Sequence, residues 1–172
     1  MGAEAHRQMA RQPVACAVIT VSDTRTESDD TSGQTMREML VAAGHRVEFY
    51  AVVKDDPPAI RSLVQGLADE GKVQAVLLNG GTGISRRDST FEAIDGMLDK
   101  RLDGFGELFR MLSWQEIGAA AMLSRAVAGT CGDLVVFSTP GSTNAVRLAM
   151  ERLIVPELSH VVWEVWRQPK PT

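Results

Sequence analysis

Cysteine is nearly absent from this 172-residue chain. Cys16 and Cys131 stand alone with no C-x-x-C pair, which excludes a disulfide framework and gives no support to a zinc site. Aromatic residues make up only 5%, so recognition should depend on backbone and charge rather than on ring stacking. Long hydrophobic runs are missing as well. The longest, Val14–Val21, is interrupted by Thr20 and falls far short of the roughly 18 residues a membrane span needs. No apolar segment follows the N-terminus, so no signal peptide is expected and a cytoplasmic location is the default. Neither sign of charge dominates. The 18 Lys and Arg against 22 Asp and Glu leave a net charge of −4, which argues against a broad nucleic-acid footprint but allows a small anionic ligand. What is present is 44% apolar residue content spread along the chain, enough for one domain with a sizeable core.

The pattern alternates strands with helices. Residues 1–12 read as a flexible tail, 13–168 as a single domain and 169–172 as a C-terminal tail. Val14–Val21 has the length and apolar continuity of a strand buried on both faces. Ser22–Thr31 is a polar loop, Ser32–Ala43 a helix stopped by Gly44, and Val47–Val53 a second strand. Pro57 opens the clearest helix, in which Ile60, Leu63, Val64 and Leu67 follow the helical period up to Gly71. Val73–Leu78 is a third strand. Ser89 and Glu92 have the spacing of a capping box that opens a helix through Ile94, Met97 and Leu98. Phe105–Leu123 is predicted helical with a break near Ser113, and Val127–Gly129 with Leu134–Phe137 form a hairpin across Thr130–Asp133. A helix through Val146, Ala149, Met150 and Leu153 is interrupted by Pro156, and a last helix carries Trp163. The expected fold is a three-layer α/β structure: a doubly wound, mostly parallel sheet with helices on both faces and an antiparallel edge.

In such sheets ligands bind beyond the carboxyl ends of the strands. Ser22-Asp23-Thr24-Arg25, Gly80–Asp88 and Ser138–Ser142 are the polar loops that fall there, joined by Lys54-Asp55-Asp56. Gly80-Gly81-Thr82-Gly83 is the sharpest feature, because glycines let backbone N–H groups approach an oxyanion. It matches neither common nucleotide motif: no Gly-Lys-Ser/Thr follows, and the dinucleotide fingerprint fails at Arg86. Arg86 and Arg87 suit a phosphate, or are solvated surface charge; Asp88 and Asp55 suit a hard cation such as Mg²⁺. Asp55 and Asp56 read equally well as helix N-caps, and the Pro140-Gly141-Ser142 turn as an anion site or an ordinary cap. Ser124-Arg125 is either a structural ion pair or a ligand clamp. His6, His45 and His160 suit surface or packing roles, and no G-x-S-x-G nucleophile elbow exists.

Taken in order, Thr20-Val21-Ser22-Asp23 with Ser32-Gly33, Asn79–Gly83 followed by Arg87-Asp88-Ser89-Thr90, and Ser138–Ser142 resemble one family. It is the MoaB/MogA-type molybdopterin adenylyltransferases of molybdenum cofactor biosynthesis. The likeness runs from about Pro13 to Trp166, and Gly104–Arg110 with Met122–Ala126 is closer to the MoaB branch. The resemblance implies an enzyme that adenylylates molybdopterin with Mg²⁺-ATP and releases pyrophosphate before metal insertion. A non-catalytic pterin-binding or delivery protein with the same pocket is the alternative. By position, Asp55 and Asp88 are the implied catalytic, Mg²⁺-associated carboxylates. Ser22, Asp23, Gly80, Gly81, Thr82, Gly83, Arg87, Ser124, Arg125, Pro140, Gly141 and Ser142 are the implied substrate-binding residues. The family also implies a homotrimer or homohexamer and hand-over to a molybdenum insertase, with no nucleic acid or membrane partner.

Overall fold

A computed structural model describes residues 12–167. The expected tails lie outside the described residues except for Gln12, whose carbonyl accepts from the Ser159 hydroxyl at 3.1 Å. The elements are β1 (Ala15–Val21), α1 (Thr31–Ala42), β2 (Arg46–Val53), α2 (Pro57–Glu70), β3 (Ala75–Asn79), α3 (Thr90–Asp95) and β4 (Lys100–Arg101). They continue with α4 (Asp103–Ile117), a 3₁₀ turn (Gly118–Leu123), β5 (Val127–Cys131), β6 (Leu134–Thr139), α5 (Thr143–Ala149), a π-helical turn (Met150–Ile154) and α6 (Val155–Trp166).

The strands make one sheet in the order β2-β1-β3-β6-β5-β4. β1, β2, β3 and β6 are parallel, whereas β5 and β4 run antiparallel to their neighbours at the far edge. β1 and β3 are buried at every position and apolar at all but Thr20 and Asn79, so both sheet faces must be covered. One face packs Val18, Leu77 and Phe137 against Met36 and Leu40 of α1, Phe109 of α4 and Leu158 of α6. The other packs Ile19, Leu78 and Val136 against Ile60, Val64 and Leu67 of α2 and Ile94 of α3. The doubly wound, three-layer expectation therefore holds.

Four local expectations need correction. The long helix does not break near Ser113, because that hydroxyl donates to the Phe109 carbonyl at 2.8 Å and stays within the helix. The break comes at Gly118, with φ 61° and ψ −139°. Pro156 does not interrupt the last helix either. The chain widens into a π turn in which Val155 N–H donates to the Met150 carbonyl, and Pro156 then falls in the first turn of α6, where no donor is missed. Helix α3 ends at Asp95, short of Met97 and Leu98. Ser89, its N-cap, makes no side-chain capping bond, so the capping box does not form. The sequence reading also missed the two-residue strand β4.

His45 carries a pH prediction. It is buried, and its Nδ1 accepts from Val14 N–H at 3.1 Å at the entrance to β1. Burial holds its pKa below the ordinary value of 6.5. The unfolded chain therefore takes up a proton more readily than the folded one as the pH falls. The His45 contribution is complete above about pH 6.5 and is lost as the pH drops through the depressed folded value. Denaturant unfolding between pH 8 and pH 5 should show wild type losing more stability than His45→Asn, whose amide oxygen can accept the same bond at any pH.

Candidate functional site

Strand register places the site. Thr20 pairs with Asn79, and Asn79 with Thr139, so β1, β3 and β6 end level with one another. From β1 the chain first moves to β2 on one side and then to β3 on the other, which opens a crevice at the carboxyl ends. A cleft of about 560 Å³ occupies this crevice. It is lined by Ser22, Thr24 and Arg25 after β1, by Asn79–Gly83 and Asp88 after β3, by Leu123 and Ser124, and by Pro140, Gly141 and Ser142 after β6. A groove of about 590 Å³ between α1 and β2 gathers Val41, Phe49 and Tyr50 but contains no glycine turn or strand end of this kind.

The glycine turn is dictated by crowding. Gly80 has φ 101°, and a Cβ there would lie 2.1 Å from the Val21 carbonyl oxygen. Gly81 has φ 63°, and a Cβ there would lie 2.0 Å from Thr90 Oγ1 and 2.5 Å from Asp55 Oδ2. No residue with a side chain fits either position.

Two carboxylates flank this turn. Asp55 accepts from Ser89 N–H at 3.1 Å, Ser89 Oγ at 2.6 Å and Thr90 Oγ1 at 3.3 Å, so it ties the link after β2 to the start of α3. Asp56, the adjacent carboxylate, is exposed and makes no side-chain cap bond. Asp88 lies beneath Gly83 and accepts on Oδ2 from Ser85 N–H at 3.1 Å and Ser85 Oγ at 2.5 Å. Among the described residues its Oδ1 accepts no hydrogen bond and is available to a cation.

Arg125 closes the far side of the turn. Its guanidinium donates to the carbonyls of Thr82 (2.8 Å) and Gly83 and to Glu92, and it lies 4.7 Å over the Phe91 ring. The hydrogen bond from Arg125 holds the Glu92 carboxyl below its ordinary pKa. Neither cysteine offers a nucleophile at neutral pH: burial pushes the Cys16 thiol up to about 12 and raises Cys131 as well. The arrangement can cradle oxyanions and hold a hard cation; its serine hydroxyls at Ser85 and Ser89 are tied to the Asp88 and Asp55 carboxylates, and the cleft lining contains neither cysteine nor histidine.

The family described as "Probable molybdopterin binding domain" matches residues 17–160. Molybdenum cofactor biosynthesis protein B of Bacillus cereus is 52% identical over 169 residues, covering 98% of this chain and all of that protein. The crystal structure of a molybdenum cofactor biosynthesis protein B superposes with a TM-score of 0.89 at 54% identity, covering 92% of this chain and 99% of the other. The chain belongs to the MoaB family. A tungsten cofactor synthesizing MoaB from Pyrococcus furiosus also shares the fold, with a TM-score of 0.80 at 39% identity and coverage of 90% and 98%.

Most of the residues expected from the MoaB resemblance do meet. Ser22, Gly80, Gly81, Thr82, Gly83, Asp88, Ser124, Pro140, Gly141 and Ser142 line the cleft. Asp23, Asp55 and Arg125 are not part of the lining; Asp23 is exposed, and its Oδ1 accepts from Asp55 N–H at 3.2 Å. Arg87 is exposed and is not part of the lining. In this MoaB-family chain, Thr24, Arg25, Asn79 and Leu123 also line the cleft; the sequence placed them in the neighbouring motifs but not among the binding residues. Asp30 was missed too. It is buried, caps α1 through Gly33 N–H at 2.9 Å and accepts from Tyr50 OH at 2.8 Å. Burial, together with the bond to Asp30, pushes the Tyr50 hydroxyl up to about 12. Only the sequence Asp30-x-x-Gly33 at the head of a helix could have flagged this cap.

Proposed function

We propose that this protein transfers an adenylyl group from Mg²⁺-ATP to molybdopterin. The observation that carries the reading is the cleft itself: a glycine turn, an arginine and a carboxylate with one free oxygen, in a lining without cysteine or histidine. In the reaction a terminal phosphate oxygen of molybdopterin attacks the α-phosphorus of ATP. The bond from the α-phosphorus to the bridging oxygen breaks, and pyrophosphate leaves. The pterin supplies the nucleophile, so the protein has only to position the phosphates and spread their charge.

The donor set fits Mg²⁺. Among the described residues no cluster of three or more His, Cys, Asp or Glu forms a closed metal cage. Mg²⁺ characteristically takes one or two carboxylates and completes its shell with phosphates and water. Asp88 Oδ1 would hold it directly, with Asp55 supporting from behind the turn. When bound, the ion would neutralise charge on the transferring phosphate. The backbone N–H groups of Gly81, Thr82 and Gly83 would take up the remaining charge, since Gly80 N–H is held by the Thr139 carbonyl. Asp55 has both oxygens engaged by Ser89 and Thr90, and this favours a second reading, a pterin-binding or delivery protein that makes no AMP linkage. Incubating the purified protein with molybdopterin and Mg²⁺-ATP separates the two. Pyrophosphate and AMP-pterin support adenylyl transfer, whereas tight pterin binding without either product selects delivery.

The reading includes self-association and onward transfer to a molybdenum insertase. Leu108, Met111, Trp114 and Ile117 follow one flank of α4 at 46–62% exposure, and Met122 and Leu123 extend it into the cleft rim. An exposed apolar flank of this kind supports a protein–protein interface, read here as one between copies. Trp114→Glu should convert an oligomer to monomer in light scattering after gel filtration; an unchanged mass rejects this face. No helix of the described residues is long and apolar enough to cross a membrane.

A further inference from the structure

Four arginines could be asked to meet an anion at this site, and the structure separates them. Arg86 and Arg87 are exposed and lie outside the cleft lining. Arg125 is engaged by the turn's own carbonyls and by Glu92. Arg25 alone of the four lines the cleft. One nitrogen of its guanidinium, Nη1, donates to Ser32 Oγ at 3.1 Å and to the Gly141 carbonyl at 3.3 Å. The buried Asp30 carboxylate stands 3.8 Å from the same nitrogen. Asp30 is itself fixed by Gly33 N–H and Tyr50 OH, so the guanidinium is aimed by partners that cannot swing away. Ser32 Oγ donates to Gly141 O at 2.8 Å and closes this small network. Among the described residues Nε and Nη2 have no hydrogen-bond partner, and these adjacent donors form the fork that a phosphate accepts in bidentate fashion.

We propose that Arg25 binds the phosphate monoester of the acceptor, as a specificity-determining residue of this cleft. The proposal rests on the adenylyl-transfer reading for the identity of that phosphate. Its placement supports the acceptor over the nucleotide. Arg25 contacts α1 and the β6 turn on one side of the sheet end, whereas Asp55 contacts Gly81 and α3 on the other. A metal-bound nucleotide phosphate belongs with the carboxylates. The second phosphate then meets the arginine.

The test is direct binding by NMR titration, with inorganic phosphate in one arm and Mg²⁺-ATP in the other. Arg25→Gln should weaken phosphate binding by about tenfold to a hundredfold, the usual range for hydrogen bonds to a charged group. Its affinity for Mg²⁺-ATP should change by less than about threefold, since one exposed charge removed at a distance costs little. Arg147→Gln removes the same charge from an exposed pair with Glu151 and should leave phosphate binding unchanged. Should Arg25→Gln fail to fold, Arg25→Lys carries the test. It keeps the charge but cannot span Gly141 and a phosphate fork together, so a severalfold loss is expected. Phosphate binding unaltered in both Arg25 variants, no phosphate-dependent shift in wild type, or a loss confined to Mg²⁺-ATP overturns the proposal. A loss of phosphate affinity in a protein whose wild type makes no AMP-pterin would leave the anion site standing and remove only the adenylyl-transfer reading.

Discussion

Asp88→Asn is expected to lower adenylyl transfer by about a hundredfold to a thousandfold, the scale of losing one preorganised charged group at a reacting phosphate. The protein should remain folded. Asp88 Oδ2 holds the loop by accepting from Ser85 N–H and Oγ, and an asparagine carbonyl can accept both bonds. What the amide removes is negative charge and the free oxygen toward the cleft. Asp55→Asn is a less clean comparison, because Asp55 accepts on both oxygens from Ser89 and Thr90, and an amide nitrogen cannot replace one of them. Pyrophosphate release and thermal unfolding measured on the same Asp88→Asn preparation provide the check. Turnover at the wild-type rate would remove Asp88 from the chemistry, and a collapsed melting temperature would recast it as a loop anchor.

Gly80→Ala is expected to destabilise the fold by about 2–5 kcal/mol, the sum of a strained positive φ and an overpacked contact. Its Cβ would sit 2.1 Å from the Val21 carbonyl, a backbone atom at the end of β1 that cannot swing aside. Relief requires β1 and β3 to part where Thr20 pairs with Asn79. The same displacement would push Gly80 away from Thr139, whose carbonyl accepts its N–H at 3.0 Å, and open the floor of the cleft. Denaturant titration should show a lower midpoint with an unchanged slope, together with weaker phosphate binding. An unfolding free energy within about 0.5 kcal/mol of wild type, the range typical of neutral surface changes, would contradict the crowding argument.

The central strands and the two-sided core were legible because their causes are local. Nearly continuous apolar runs at β1 and β3 force burial on both faces, and the spacing of Ile60, Val64 and Leu67 forces one apolar stripe on α2. Gly71 ended its helix as expected, at φ 65°. The errors came where a local signal had a distant competitor. Ser89 and Glu92 have capping spacing, but Asp55 takes the Ser89 hydroxyl and Arg125 takes the Glu92 carboxylate. Each charged partner lies more than 30 residues away and outcompetes a neutral cap.

The sparse cysteines and aromatics and the order of the polar loops were enough, within the sequence itself, to give no support to a disulfide or zinc framework and to point to an anion-binding α/β protein of the MoaB type. Backbone glycines and loop order act over a few residues, and so they can be read along a line. Which arginine faces the cleft could not be read that way. Arg87 stands closest to the glycine turn in sequence but lies outside, Arg125 is drawn into holding the turn, and Arg25 is brought in by Ser32 and Gly141. Side-chain direction at the end of a sheet depends on partners contributed by three different crossovers. Only packing of the helices on both faces brings those partners together.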